Sequence, residues 1–172
     1  KNKLVPFGEF LPLENLLSKF GIKKITTGYQ SYKADYERKI LNINDIKFLP
    51  LICYEIIYSG NLKKSNEDFD FIINISEDGW FGDSIGPHQH FSHSIFRAVE
   101  EGKNLIRSAN NGSTALIDPT GQIVNIIEST QKGVIELNHF RNNKKTTFSI
   151  LGNKLFFYFI SFYIILIFFL KK

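Results

Sequence analysis

One cysteine, one tryptophan and no methionine occur in 172 residues. A single thiol excludes an internal disulfide and any cysteine-based zinc site. Arginine-rich stripes are absent, so the net charge of +4 comes from scattered lysines. Without a basic helix interleaved with aromatics, nucleic acid is not an expected partner. Histidine is scarce too. On a helix His90 and His93 share a side while His88 points away, and no carboxylate completes a set, so no metal centre is expected. No signal peptide opens the chain. Lys1 stands in what reads as a loop or strand end, and the chain reads as a piece of a longer protein with residues missing upstream. No internal repeat is visible.

What the chain does have is one long apolar run. Leu155 to Leu170 carries no charge and is flanked by Lys154 and by Lys171 and Lys172. At helical rise it covers about 24 Å, against a hydrocarbon core of roughly 30 Å. Ile150 and Leu151 can extend it, and the lysines can snorkel outward. A buried core helix or a strand is the alternative, but a soluble core helix is rarely apolar on every face. The expectation is a transmembrane helix within residues 150–172. Its lysine end would be cytoplasmic, leaving residues 1–149 as a domain on the other side.

Those residues read as mixed α/β. Phe48 to Cys53 and Phe69 to Ile75 are near-continuous apolar runs, as expected of strands covered on both faces. Leu105 to Ser108 and Ser113 to Ile117 suggest two more strands. Asp118-Pro119-Thr120-Gly121 is a turn, with Gln122 to Ile127 pairing back as a hairpin. Pro87 to Gly102 reads as a helix, with proline in its first turn. Phe91, Ile95, Ala98 and Val99 would form its apolar face, and His90, Ser94, Arg97 and Glu101 an adjacent polar stripe. Arg97 and Glu101, one turn apart, are expected to pair. Leu13, Leu16, Leu17 and Phe20 recur at helical spacing; this stretch would pack on the core or, with Phe10 and Leu11, lie against a bilayer. Asn138 to Ser149 is polar and basic, a linker to the apolar run.

Cys53 sits in Leu51-Ile52-Cys53-Tyr54-Glu55, where a strand ends and a turn can present the thiol. Free cysteines commonly fill cores. A core filler, however, is rarely followed at once by a tyrosine and a carboxylate. The thiolate is the nucleophilic form, and a neighbouring ammonium stabilises it. Lys1 and Lys3 precede Leu4-Val5-Pro6-Phe7-Gly8-Glu9, in which proline and glycine shape a turn and Glu9 could hold an ammonium. Trp80 and Phe81, between Gly79 and Gly82, would line a pocket, touch lipid or plug the core. A nucleophile, an ammonium and carboxylates on separate loops are the parts needed for acyl transfer through a thioester.

In series, these motifs resemble the carboxy-terminal half of the apolipoprotein N-acyltransferase family, within the nitrilase or carbon-nitrogen hydrolase superfamily. Lys1 with Leu4-Val5-Pro6-Phe7-Gly8-Glu9-Phe10-Leu11-Pro12 is similar to the loop carrying that family's catalytic lysine. Ile52-Cys53-Tyr54-Glu55 is similar to its nucleophile motif. Asp78-Gly79-Trp80-Phe81-Gly82, Gly86-Pro87-His88-Gln89-His90-Phe91, Arg97-Ala98-Val99-Glu100 and Arg107-Ser108-Ala109-Asn110-Asn111-Gly112 follow in order.

The resemblance implies an α/β fold, a four-layer αββα sandwich incomplete at its start, followed by the membrane helix. It implies a bacterial inner membrane, with the domain on the periplasmic side. Cys53 would take an acyl chain from a phospholipid, and the amine of a diacylglyceryl-cysteine at an apolipoprotein's start would then attack the thioester. Lys1 would stabilise the oxyanion. Glu9 and Glu55 would support the site, and Tyr54, Trp80 and Phe81 would line it. No cofactor is called for. The family's general-base glutamate lies upstream and has no counterpart here, and Glu77 stands where asparagine is common. On its own, then, the segment is expected to be inactive. The competing readings are a soluble nitrilase-type amidase, which has no use for the apolar run, and a non-catalytic membrane-tethered module of the same fold.

Overall fold

The computed structural model describes residues 1–25, 31–60, 62–63, 67–137 and 145–170. Six strands form one mixed sheet in chain order: β1 (Leu41–Ile43), β2 (Ile46–Ile52), β3 (Phe71–Glu77), β4 (Asn104–Asn110), β5 (Thr114–Ile117) and β6 (Ile123–Ile127). The pairs β2/β3 and β3/β4 are parallel, and the outer pairs are antiparallel. The Asp118 turn behaves as its sequence requires. Gly121 N–H returns to Asp118 O at 3.0 Å, and the Asp118 carboxylate accepts from Thr120 N–H at 2.8 Å.

A short helix, α1 (Glu14–Leu17), precedes the sheet, and the long helix α2 (Gly86–Glu101) crosses from β3 to β4. Gly102, at φ 63°, ends α2 in the left-handed conformation that glycine adopts without steric cost. The core lies between α2 and one sheet face. Leu49 and Leu51 of β2, Ile72 of β3, Leu105 of β4 and Ala115 and Ile117 of β5 meet Phe91 and Ala98 of α2.

Two expectations change here. The described residues cover one face of the sheet fully and the other only in part. On the other face, Ile52 pairs with Ile75 in register, and they are 43% and 60% exposed. Helix α2 does not divide as its spacing suggests, with Val99 on the apolar face and the polar stripe beside it. His90, Ser94, Arg97 and Glu101 are all buried, while Val99 is exposed. Charged residues point inward because partners wait there. Arg97 donates to the carbonyls of Ile56 and Ile57 at 3.3 and 3.1 Å and pairs with Glu100 at 2.7 Å, not with Glu101. Glu101 instead accepts from Ser149 Oγ at 2.6 Å. Burial pushes the Glu101 carboxyl up, against the opposing effects of Ser149 and Lys63.

The amphipathic stretch near Leu13 is shorter than its spacing suggests and does not pack on the core: α1 passes into a 3-10 turn, Ser18–Phe20, and Leu13 and Phe20 are each 74% exposed. The carboxy-terminal portion holds α3 (Thr147–Leu151) and α4 (Lys154–Leu170). Ser149 docks α3 on α2, so the end of the expected linker is ordered structure; its part at 138–144 lies outside the described residues, as do Lys171 and Lys172. No residue of α4 is buried. With 17 residues it is about 26 Å long, and no helix among the described residues is long and apolar enough to cross a membrane.

Candidate active site

Ligands of parallel sheets bind beyond the carboxyl ends of the strands, and that is where the chemistry collects. Cys53 follows β2 directly, at φ 52°, opening a 3-10 turn (Cys53–Ile57). A non-glycine residue there is strained by roughly 1 kcal/mol or more, so the turn must be held. Glu55 accepts from Ile52 N–H at 2.8 Å. Asn74 of β3 donates to Leu51 O at 3.1 Å and to Cys53 O at 3.5 Å. The thiol, half-buried, stands 4.0 Å from Glu77 O.

Cys53 opens on a cavity of about 380 Å³ whose wall includes Tyr54, Trp80, Phe81, Glu9, Glu77 and His90. Trp80 is 64% exposed, so the rim is wide and aromatic. Three of the expected lining residues, Tyr54, Trp80 and Phe81, therefore surround one space with the thiol.

Lys1 is not on that wall. It lines the neighbouring cleft with Arg38, Ile52 and Glu55. Its ammonium reaches Glu9 Oε1 at 2.6 Å, and Glu9 is on the wall of the Cys53 cavity. Glu9 also accepts from Val5 N–H at 2.8 Å, closing the Val5–Glu9 turn around the pair.

Glu55 points away from the cavity and acts as a clamp. Its carboxylate accepts from Asn2 N–H at 2.7 Å, Lys3 N–H at 2.9 Å and Arg38 Nη2 at 2.9 Å, besides Ile52 N–H. It thus ties the segment carrying Lys1 to the turn carrying Cys53. Burial alone would raise its carboxyl; the Ile52 N–H, Arg38 and the Lys3 N–H outweigh that and hold it below the ordinary value.

Glu77 is engaged elsewhere. Its carboxylate accepts from Asn110 Nδ2 at 2.5 Å, Gly79 N–H at 2.8 Å and Asn111 Nδ2 at 3.3 Å. The Asn110 and Gly79 bonds keep it ionised below its ordinary range. A carboxylate so held is a poor proton acceptor.

Behind the cavity lies a buried polar cluster. Arg107 of β4, fully buried, pairs with Asp78 Oδ2 at 2.6 Å and donates to Asn74 Oδ1. Asp78 accepts from Ser76 Oγ at 2.7 Å and meets His90 Nδ1 at 2.8 Å. Burial opposes ionisation of Asp78, but the His90 bond, the Arg107 charge and Ser76 prevail and bring it down to about 2. One guanidinium thereby joins the Cys53 turn, through Asn74, to the loop of Trp80 and Phe81, through Asp78.

The carbon-nitrogen hydrolase family profile matches residues 1–138. The chain belongs to the carbon-nitrogen hydrolase family. Within that family it is similar to proteins named apolipoprotein N-acyltransferase. It is 46% identical over 124 residues to that of Wigglesworthia glossinidia brevipalpis, covering 72% of this chain and 25% of the relative. It is 43% identical over 155 residues to that of Rickettsia prowazekii, covering 89% and 31%. It is 42% identical over 137 residues to that of Rhizobium rhizogenes, covering 79% and 26%. The chain spans about a quarter to a third of the length of these relatives.

Asn74, Asp78, His90 and Arg107 are the residues that sequence reasoning left without a role. The signal was available for His90, which precedes the core residue Phe91 and lies one turn before buried Ser94. A polar residue on the inward side of a helix needs a partner, but which one is a matter of tertiary contact.

Proposed function

We propose that this carbon-nitrogen hydrolase chain carries the nucleophile half of an N-acyltransferase acting on bacterial apolipoproteins. Cys53 attacks the ester carbonyl of a phospholipid, a lysophospholipid leaves, and the acyl chain stays as a thioester. The amine of a diacylglyceryl-cysteine then takes the acyl group and frees the thiol. The observation carrying this reading is the placement of Cys53: on a strained turn at the end of a parallel strand, opening on an aromatic-rimmed cavity. The relatives' shared name supports the reading.

Lys1, off the cavity wall but tied to it through Glu9, is assigned the oxyanion; Glu55 fixes its segment, and Tyr54, Trp80 and Phe81 receive the acyl chain. Residues 1–149 form the catalytic domain. The open sheet face around Ile52 and Ile75 is the inner face of an αββα sandwich, paired with layers outside this chain. Residues 150–172 are the membrane segment, α4 lying in the bilayer of the inner membrane with the domain on its periplasmic side. Its all-round apolar surface supports that assignment.

The test uses membranes carrying the full-length protein, a diacylglyceryl-cysteine peptide and phosphatidylethanolamine. N-acylated peptide is expected with the unchanged protein and none with Cys53→Ser. Equal product from both would remove Cys53 from the reaction.

A further inference from the structure

His90 is 4% exposed and forms part of the Cys53 cavity wall. Its two ring nitrogens differ. Nδ1 lies 2.8 Å from Asp78 Oδ1, closer than the 3.3 Å to Arg107 Nη2, and an ionised carboxylate only accepts, so Nδ1 carries the proton. In the neutral ring Nε2 then holds a lone pair. That atom is buried and has no hydrogen-bond partner among the described residues. Buried polar atoms are normally satisfied, and an exception beside a nucleophile points to a group that arrives with the ligand.

The arriving group must be a donor. The carboxylates on the wall are already engaged: Glu9 by Lys1 and Val5 N–H, Glu77 by Asn110, Asn111 and Gly79 N–H. The reacting centre of an acyl ester offers only acceptors, its carbonyl and alkoxy oxygens. The attacking amine is different, since a neutral primary amine has two N–H bonds and loses one. We propose that His90, oriented by Asp78, holds the acyl-accepting amine through an N–H···Nε2 hydrogen bond while it attacks the thioester. This rests on the acyl-transfer reading above. In that step the nitrogen lone pair forms the C–N bond and the C–S bond breaks with its electron pair on sulfur. The lost N–H proton restores the Cys53 thiol; the retained N–H is the one His90 holds. The Phe81 ring, 5.4 Å from the His90 ring, flanks the same wall and gives the amine's carbon chain an apolar neighbour.

Two substitutions separate this role from mere support of Asp78. His90→Asn keeps a donor where Nδ1 stands and removes Nε2. His90→Gln places an amide near Nε2 and gives up the Asp78 bond. In full-length protein in membranes, thioester formation and its aminolysis by a diacylglyceryl-cysteine peptide are followed separately, with phosphatidylglycerol as a donor lacking N–H. His90→Asn is expected to slow aminolysis about tenfold or more, as loss of a buried hydrogen bond does, and thioester formation less than about threefold. His90→Gln is expected to retain more aminolysis than His90→Asn. The reverse order, or an equal fall in both steps, would make His90 a structural partner of Asp78 and overturn the proposal. So would a defect of His90→Asn confined to thioester formation from phosphatidylethanolamine, which would give Nε2 to the headgroup ammonium. Should the unchanged protein form no thioester from either donor, the acyl-transfer reading itself fails, and this assignment with it.

Discussion

Helices α2 and α4 have nearly the same length and opposite habits. α2 buries a histidine, an arginine and a glutamate; α4, made almost wholly of Phe, Ile, Leu and Tyr, buries nothing. The usual rule of apolar inside and charged outside is inverted in both. For α2 the reason is satisfaction. Arg97 has backbone carbonyls and Glu100 to receive it, Glu101 has Ser149, and His90 has Asp78 backed by Arg107. For α4 the described residues supply no covering surface. Burial follows from what faces a residue, and among the described residues nothing faces α4.

The severest way to break the contrast is to remove the cation that makes burial on the α2 side tolerable. Arg107→Met strands Asp78 and should cost about 3–5 kcal/mol, read as a fall in thermal or denaturant midpoint. Next is the opposite operation on α4. Ile164→Lys should leave the unfolding midpoint of the domain within about 0.5 kcal/mol. It should weaken partition into vesicles by about 2.5–3.5 kcal/mol, read by flotation. A third test uses pH. Asp78 is held at about 2, below its ordinary 3.8. A lowered carboxyl contributes stability that is present above the unfolded value and lost as pH falls through the folded one. Stability should therefore drop between about pH 4 and pH 2, by about 2 kcal/mol from this group, with Glu55 adding in the same direction. Asp78→Asn should flatten that limb of the curve. The mildest is Ser149→Ala, which deprives Glu101 of its donor and should cost about 1 kcal/mol, with a pH dependence shifted upward because the Glu101 carboxyl rises further.

Much of the fold is written locally. The β2 and β3 runs, the Asp118 turn with its hairpin and the α2 boundaries at Pro87 and Gly102 all depend on short-range pattern and turn chemistry, and Cys53 at a strand end is of the same kind. What local pattern could not show is which polar residues turn inward. Helical spacing matches Arg97 to Glu101, yet three residues' separation and the geometry of its neighbouring carbonyls favour Glu100. The Asp78–His90–Arg107 cluster draws on three elements separated by tens of residues, and no spacing rule assembles it. The near-continuous apolar strands suggested cover on both faces, and the described residues cover one fully and the other only in part. The Leu13 stretch had the period of a helix, but nothing in the sheet reaches out to bury it.

The proposed acyl transfer stands or falls on the Cys53 sulfur. Full-length protein in membranes, given phospholipid with a labelled acyl chain and no amine acceptor, should carry the label on the peptide containing Cys53, released by neutral hydroxylamine as a thioester is. Label on another residue, or none on a protein whose Cys53 is alkylated freely by a small electrophile, would contradict it.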